Sequence, residues 1–315
     1  MEILLSPAIL FFVLGMLAAS LRSSLDIPEA VSKGMAIYLM TSIGLKGGVQ
    51  VSATGLTSEL VVAGLAGIGL SFLLPIPAFW AMRRLARLST VNAGAVAAHY
   101  GSVSVVTFVT GVAILEAGGT PVAGYMVAVL AMMEAPAIIT GIWLARRSEG
   151  SGAKALSGHL SHAVRDGAVV LLLGSFAVGL VVGERGFEPI RPVFQHAFAG
   201  VLCLFLLDMG LVAARHLIRS RSVTPAIAAL AIIVAVVNGT VGVFAGVLIG
   251  LDTGSIAALG ILAGSASYIA APAAIRLALP EADIGLPLAM SLAITFPFNV
   301  LMGIPIFTTL ARFLS

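Results

Sequence analysis

The chain has 315 residues, 59% of them hydrophobic and 10% charged, with a mean hydropathy of +1.11 and a formal net charge of +3. So much apolar surface excludes a soluble globule, and a lone Cys203 excludes a disulfide framework or a cysteine metal cluster. The basic excess sits in short connections rather than on one face, which points to membrane anchoring and not to nucleic acid.

At about 20 residues per crossing, the sequence predicts ten membrane helices. They cover residues 3–21, 30–49, 60–82, 91–115, 121–145, 167–183, 193–214, 223–251, 255–279 and 284–310. No cleavable leader is expected, because residues 1–21 lack a basic start. Breaker sequences such as Gly118-Gly119-Thr120-Pro121 separate the helices. The only long polar link, Arg146 to Asp166, divides the chain into two five-helix halves, 1–150 and 151–315, within one integral membrane domain.

The fourth predicted helix is interrupted by Gly101-Ser102-Val103-Ser104 and the ninth by Ser265-Ala266-Ser267-Tyr268. A helix broken at membrane depth persists only where protein or solute replaces the missing backbone bonds, so paired breaks mark a transporter's binding site. Two half-helices starting near Ser104 and Ser267 would focus positive potential on one point. Gly101, Ser102, Ser104, Thr107, Ser265, Ser267 and Tyr268 are therefore the candidate substrate residues. Their hydroxyls suit a small oxyanion, although serine in membrane helices also serves as a packing residue. Tyr268 fits a substrate donor or a cavity plug equally well.

An ionisable group inside a span is expensive and usually functional. Glu134, ahead of Pro136 in the fifth helix, is the candidate cation ligand, with Thr295 and Asn299 of the tenth helix as neutral oxygen partners for sodium. His99, beside the first break, is a candidate for coupling or for packing. Lys46 and Asp208 lie near opposite membrane faces and read as anchors or gate contacts.

The halves share a register. Pro28 and Pro189, Ser102 and Ser265, and Pro136 and Pro297 stand 161, 163 and 161 residues apart. An odd number of crossings per repeat inverts the second copy, the arrangement of many secondary transporters. With the N-terminus outside, 13 of the 17 Lys and Arg fall on inner connections. That asymmetry puts both termini outside a bacterial inner membrane.

The motifs Ile27-Pro28-Glu29-Ala30, Ile43-Gly44-Leu45-Lys46-Gly47-Gly48, Tyr100-Gly101-Ser102-Val103-Ser104, Glu134-Ala135-Pro136-Ala137 and Ser265-Ala266-Ser267-Tyr268 together resemble the sodium-dependent bicarbonate transporters over nearly the whole length. The resemblance implies a ten-helix inverted repeat, a core domain sliding against a gate domain, and bicarbonate held with sodium at facing helix breaks. It also implies a homo-oligomer, a trimer. The chain departs from the family pattern at Tyr268, where characterised members carry an acid, at Val105 and Val106, where their first break is richer in Gly and Ser, and at Glu134, where they carry Asp. With one acid fewer, one sodium per anion is expected. The link between halves is shorter than in members controlled by a trimeric partner protein, so no regulatory partner is assigned.

The predicted activity is thus symport of a small anion, bicarbonate first, with sodium as coupling ion and no other cofactor. Sodium cancels the electrical cost of importing an anion, about 2.3 kcal/mol per 100 mV. A symporter of another small anion such as a carboxylate, driven by sodium or protons, is the alternative, and a large apolar pocket would favour it. An intramembrane enzyme or a channel is disfavoured: no HExxH, GxSxG or P-loop pattern is present.

Overall fold

The computed structural model describes residues 7–55, 57–146, 167–219, 223–268, 270–283 and 285–315. The link between the halves, with Arg147, Lys154 and Arg165, lies outside the described residues, as does Arg221. Every regular element among the described residues is helical: α1 (Pro7–Ser20), α2 (Glu29–Thr54), α3 (Ser58–Leu73), α4 (Pro75–Arg84), α5 (Thr90–Gly101), α6 (Val105–Ala117), α7 (Met126–Arg146), α8 (Gly167–Phe187), α9 (Phe198–Arg219), α10 (Pro225–Leu248), α11 (Thr253–Ala263), α12 (Ala270–Ala278) and α13 (Gly285–Leu314). Among the described residues, six helical stretches are long and apolar enough to cross a membrane, among them α3 with α4, α5 with α6 across their interruption, and α13. Large apolar side chains such as Leu10, Leu14 and Leu17 of α1 point outward, as a lipid-facing helix requires.

Proline explains the shape of several helices. α3 passes into α4 through Leu74, just ahead of Pro75, which needs no N–H bond at a first helical turn. Inside α13, Pro297 lies between two π turns, Ala289–Thr295 and Asn299–Gly303, whose wider spacing spares the carbonyl that a proline ring would strike. In α7, Pro136 is accommodated by Ser71 of α3. The Ser71 hydroxyl donates to Met133 O (2.5 Å) and accepts from Ala137 N (3.1 Å), so one side chain is inserted where a helical bond would close.

Two layers result. In one, α1 packs on α9 and α2 on α8, each pair so close that only glycine fits. A Cβ at Gly15 would lie 2.1 Å from Leu207 O, and one at Gly48 would lie 2.0 Å from Phe176 O. Small residues let membrane helices approach where no hydrophobic drive between them exists. In the other layer, α5 packs on α7 and α4, α11 on α10 and α13, and α12 on α7 and α5. The interrupted helices lie at its centre: 94% of the apolar window of α5 with α6 is buried, against 39% for α3 with α4.

Candidate functional site

The two interruptions meet. α5 ends at Gly101, where only glycine fits, since a Cβ would strike the Pro75 ring at 2.3 Å and the Ala137 methyl at 2.8 Å, and the chain then runs extended through Ser102 to Ser104. Ser102 donates to Glu134 O (3.0 Å) and lies 3.4 Å from Glu134 Oε1, so the buried Glu134 of α7 faces the first break. Ser104 caps α6: its Oγ accepts from Thr107 N (3.2 Å) and from Thr107 Oγ1 (2.9 Å).

Bonds between the halves then lock the crossing. Ser104 N donates to Ser265 Oγ (2.9 Å), which donates onward to Leu262 O (2.8 Å). Ser267 N donates to His99 O (2.9 Å), and the His99 ring bonds back to Ser267 O through Nδ1 (2.7 Å). A carbonyl only accepts, so Nδ1 carries a proton. Both backbone polar groups of Ser267 are thereby engaged by one histidine, while its hydroxyl accepts from Ala271 N (3.3 Å) at the start of α12.

Amides satisfy the helix ends that the breaks expose. Asn238 of α10 donates to Tyr100 O (3.0 Å), and Asn299 of α13 donates to Gly264 O (2.9 Å). The Tyr100 hydroxyl pairs with Thr295 Oγ1 at 2.6 Å. The Asn299 Oδ1 is buried without a hydrogen-bond partner and sits over Gly303, where a Cβ would approach it to 2.3 Å. All eleven residues singled out in the sequence therefore lie at or beside the two breaks. Among the described residues, no group of three or more His, Cys, Asp or Glu is placed to hold a metal, so a cation here would rely on Glu134 and neutral oxygens.

Tyr100, Asn238, Ser71 and the backbone of Val105 and Val106 escaped the sequence reading. Of the first four N–H groups of α6, Thr107 N and Phe108 N are capped by Ser104. Those of Val105 and Val106 have no acceptor among the described residues. These two valines line a cavity of about 260 Å³ between α2, α9 and α6, with Tyr268 beside them and Ser32 and Lys33 of α2 also in its wall. The Tyr268 hydroxyl is buried, faces Ser104 and makes no well-formed hydrogen bond; its ring packs edge-on against Phe296 at 5.7 Å.

A second cavity, of about 320 Å³, opens at the opposite end of α2 and α6, bounded by Ile43, Lys46, Phe108, Glu116, Glu184 and Arg191. There Lys46 and Glu116 form an ion pair at 2.8 Å that ties α2 to α6. Arg191 pairs with Glu184 and Glu188, and these carboxylates hold its guanidinium above the usual arginine range. Asp208, which the sequence left as an anchor or gate contact, is buried in α9 near Ser32.

The sequence matches the family described as the Na+-dependent bicarbonate transporter superfamily over residues 7–312, and the chain belongs to that superfamily. No individual curated protein matches it. Family membership implies a multi-pass membrane transporter rather than an enzyme.

Proposed function

We propose that this member of the superfamily imports bicarbonate together with one sodium ion, and that the anion sits at the N-terminus of α6. The observation that carries this reading is the pair of N–H groups at Val105 and Val106, which find no acceptor among the described residues and belong to two residues that line a cavity, at a helix end that carries about half a positive charge. Such an end needs no charged side chain to hold an oxyanion. The serines named in the sequence then act one step back. Ser104 and Ser265 fix the start of α6, and Ser102 joins it to Glu134.

The cation is assigned to Glu134 with Thr295 and Asn299. A carboxylate and a buried amide oxygen lacking a donor suit sodium. One sodium per bicarbonate makes the cycle electrically silent. The ten-crossing inverted repeat belongs to this proposal, supported by the reciprocal pairing of α1 with α9 and α2 with α8 across the halves. So does a topology with both termini outside, which turns the Lys33 end of α2 and its cavity inward. Two cavities approach one seam from opposite ends, with Ile43 and Phe108 in the wall of one and Leu39 and Val109 in the wall of the other. Sliding the layer of breaks past α2 and α9 would exchange which cavity reaches Val105.

The deciding measurement is labelled bicarbonate uptake into proteoliposomes at clamped potential. Uptake should follow an inward sodium gradient and ignore voltage. Uptake that ignores sodium and follows a pH gradient would overturn the coupling.

A further inference from the structure

The cavity below Val105 and Val106 has more room and more apolar wall than bicarbonate alone would use. Bicarbonate, one carbon and three oxygens, presents polar atoms in every direction of its plane. Yet beyond the two N–H groups, Tyr268, Ser32 and Lys33, the wall is apolar, built from side chains such as Leu39, Met40, Val109, Phe205, Met209 and Leu292. At about 30 Å³ for a water-sized group, a solute as small as bicarbonate fills only part of a cavity of about 260 Å³. Along that wall a polar solute finds few hydrogen-bond partners.

We infer that the site takes short-chain monocarboxylates, with the carboxylate on the Val105 and Val106 N–H groups and the alkyl tail along the apolar wall. This rests on the proposed anion site at α6. A carboxylate keeps the planar pair of oxygens that bicarbonate offers and replaces its hydroxyl with hydrocarbon. Three observations converge on that shape: two backbone donors at one end, a buried Tyr268 hydroxyl beside them without a well-formed hydrogen bond, and an apolar remainder. Among the described residues the charged side chain in the wall is Lys33, a cation, and its exposed pairing with Glu29 at 2.7 Å leaves it a weak steering charge rather than a binding group. Each methylene laid on the wall should improve affinity about three- to fourfold.

The test uses the full chain in proteoliposomes, with competition by unlabelled formate, acetate, propionate and butyrate against labelled bicarbonate, and labelled butyrate counterflow with protein-free liposomes as the control for passive flux. The expected result is an inhibition constant that falls about three- to fourfold per carbon from acetate to butyrate. Val109→Phe, which fills the wall one helical turn from the donors, should abolish that gain, so that butyrate competes no better than acetate. Sodium-driven bicarbonate uptake with no competition, or competition independent of chain length, overturns the inference and leaves the bicarbonate reading standing. Chain-length-dependent butyrate counterflow without bicarbonate uptake supports the inference and removes bicarbonate. Transport of neither overturns both.

Discussion

The two helix breaks carry nearly the same letters, Ser-Val-Ser and Ser-Ala-Ser, and the structure uses them differently. At the first break, Ser104 caps α6, and Val105 N and Val106 N have no acceptor among the described residues, while both valines line a cavity. At the second, His99 engages both backbone groups of Ser267, and Tyr268 stands in the cavity wall. The first break leaves two amides of its helix without an acceptor among the described residues; at the second, the backbone of Ser267 is bonded across the halves. The two breaks bring helix ends together, but the hydrogen bonds around each end differ, and they decide which end has donors to spare.

The comparison breaks most severely if Val105 loses its donor. Val105→Pro removes a single N–H at the first position of α6, where proline is well tolerated, and Ser104 already has the extended backbone that a following proline demands. A hydrogen bond to a charged group contributes about 1.5–3 kcal/mol, so the apparent KM for the anion should rise roughly ten- to hundredfold while the protein stays folded. Unchanged uptake kinetics would move the anion away from α6.

A second test separates cation from anion. Glu134→Gln keeps the shape and removes the charge beside Ser102. The sodium concentration for half-maximal uptake should rise on the order of tenfold, with about 1–2 kcal/mol of charge-assisted coordination lost, while anion competition constants stay within about twofold. Sodium dependence that stays put would leave Glu134 a structural acid.

The closed state of the second break can be probed through stability. His99→Leu strands Ser267 O in a buried site, a loss of about 1–2 kcal/mol. The melting temperature in detergent should fall by roughly 2–6 °C. His99→Asn, which offers an amide N–H near the position of Nδ1, should recover most of it. Equal melting of both variants would mean that the ring only fills space.

The sequence made the breaks legible because glycine, serine and proline are rare companions at membrane depth. Length and hydropathy also located six of the ten predicted crossings, for example residues 60–82 against the observed α3 and α4. The donors were not legible. Val105 and Val106 read as two more apolar side chains, since a backbone N–H leaves no mark in a sequence and its freedom depends on where the Ser104 cap stops. Nor did any pattern announce that His99 would meet Ser267, a bond between residues 168 apart in the chain. Asn238 did leave a signal, an amide in an otherwise apolar span, which such a residue occupies only with a partner. Ser71 left none, because its role comes from the gap that Pro136 opens in a different helix.

The smallest expected effect is the sharpest test of the asymmetry. Tyr268→Phe removes one oxygen and nothing else; the ring keeps its edge-on contact with Phe296. Because that hydroxyl is buried without a well-formed bond, its loss should leave folding unchanged or slightly better. If the second break contributes only this single donor, the KM for the anion rises about three- to tenfold, the equivalent of one neutral hydrogen bond, well below the effect of Val105→Pro. The sodium dependence should not move. A loss as large as that of Val105→Pro would make the second break an equal partner, and no change at all would reduce Tyr268 to a wall and leave the anion wholly to α6.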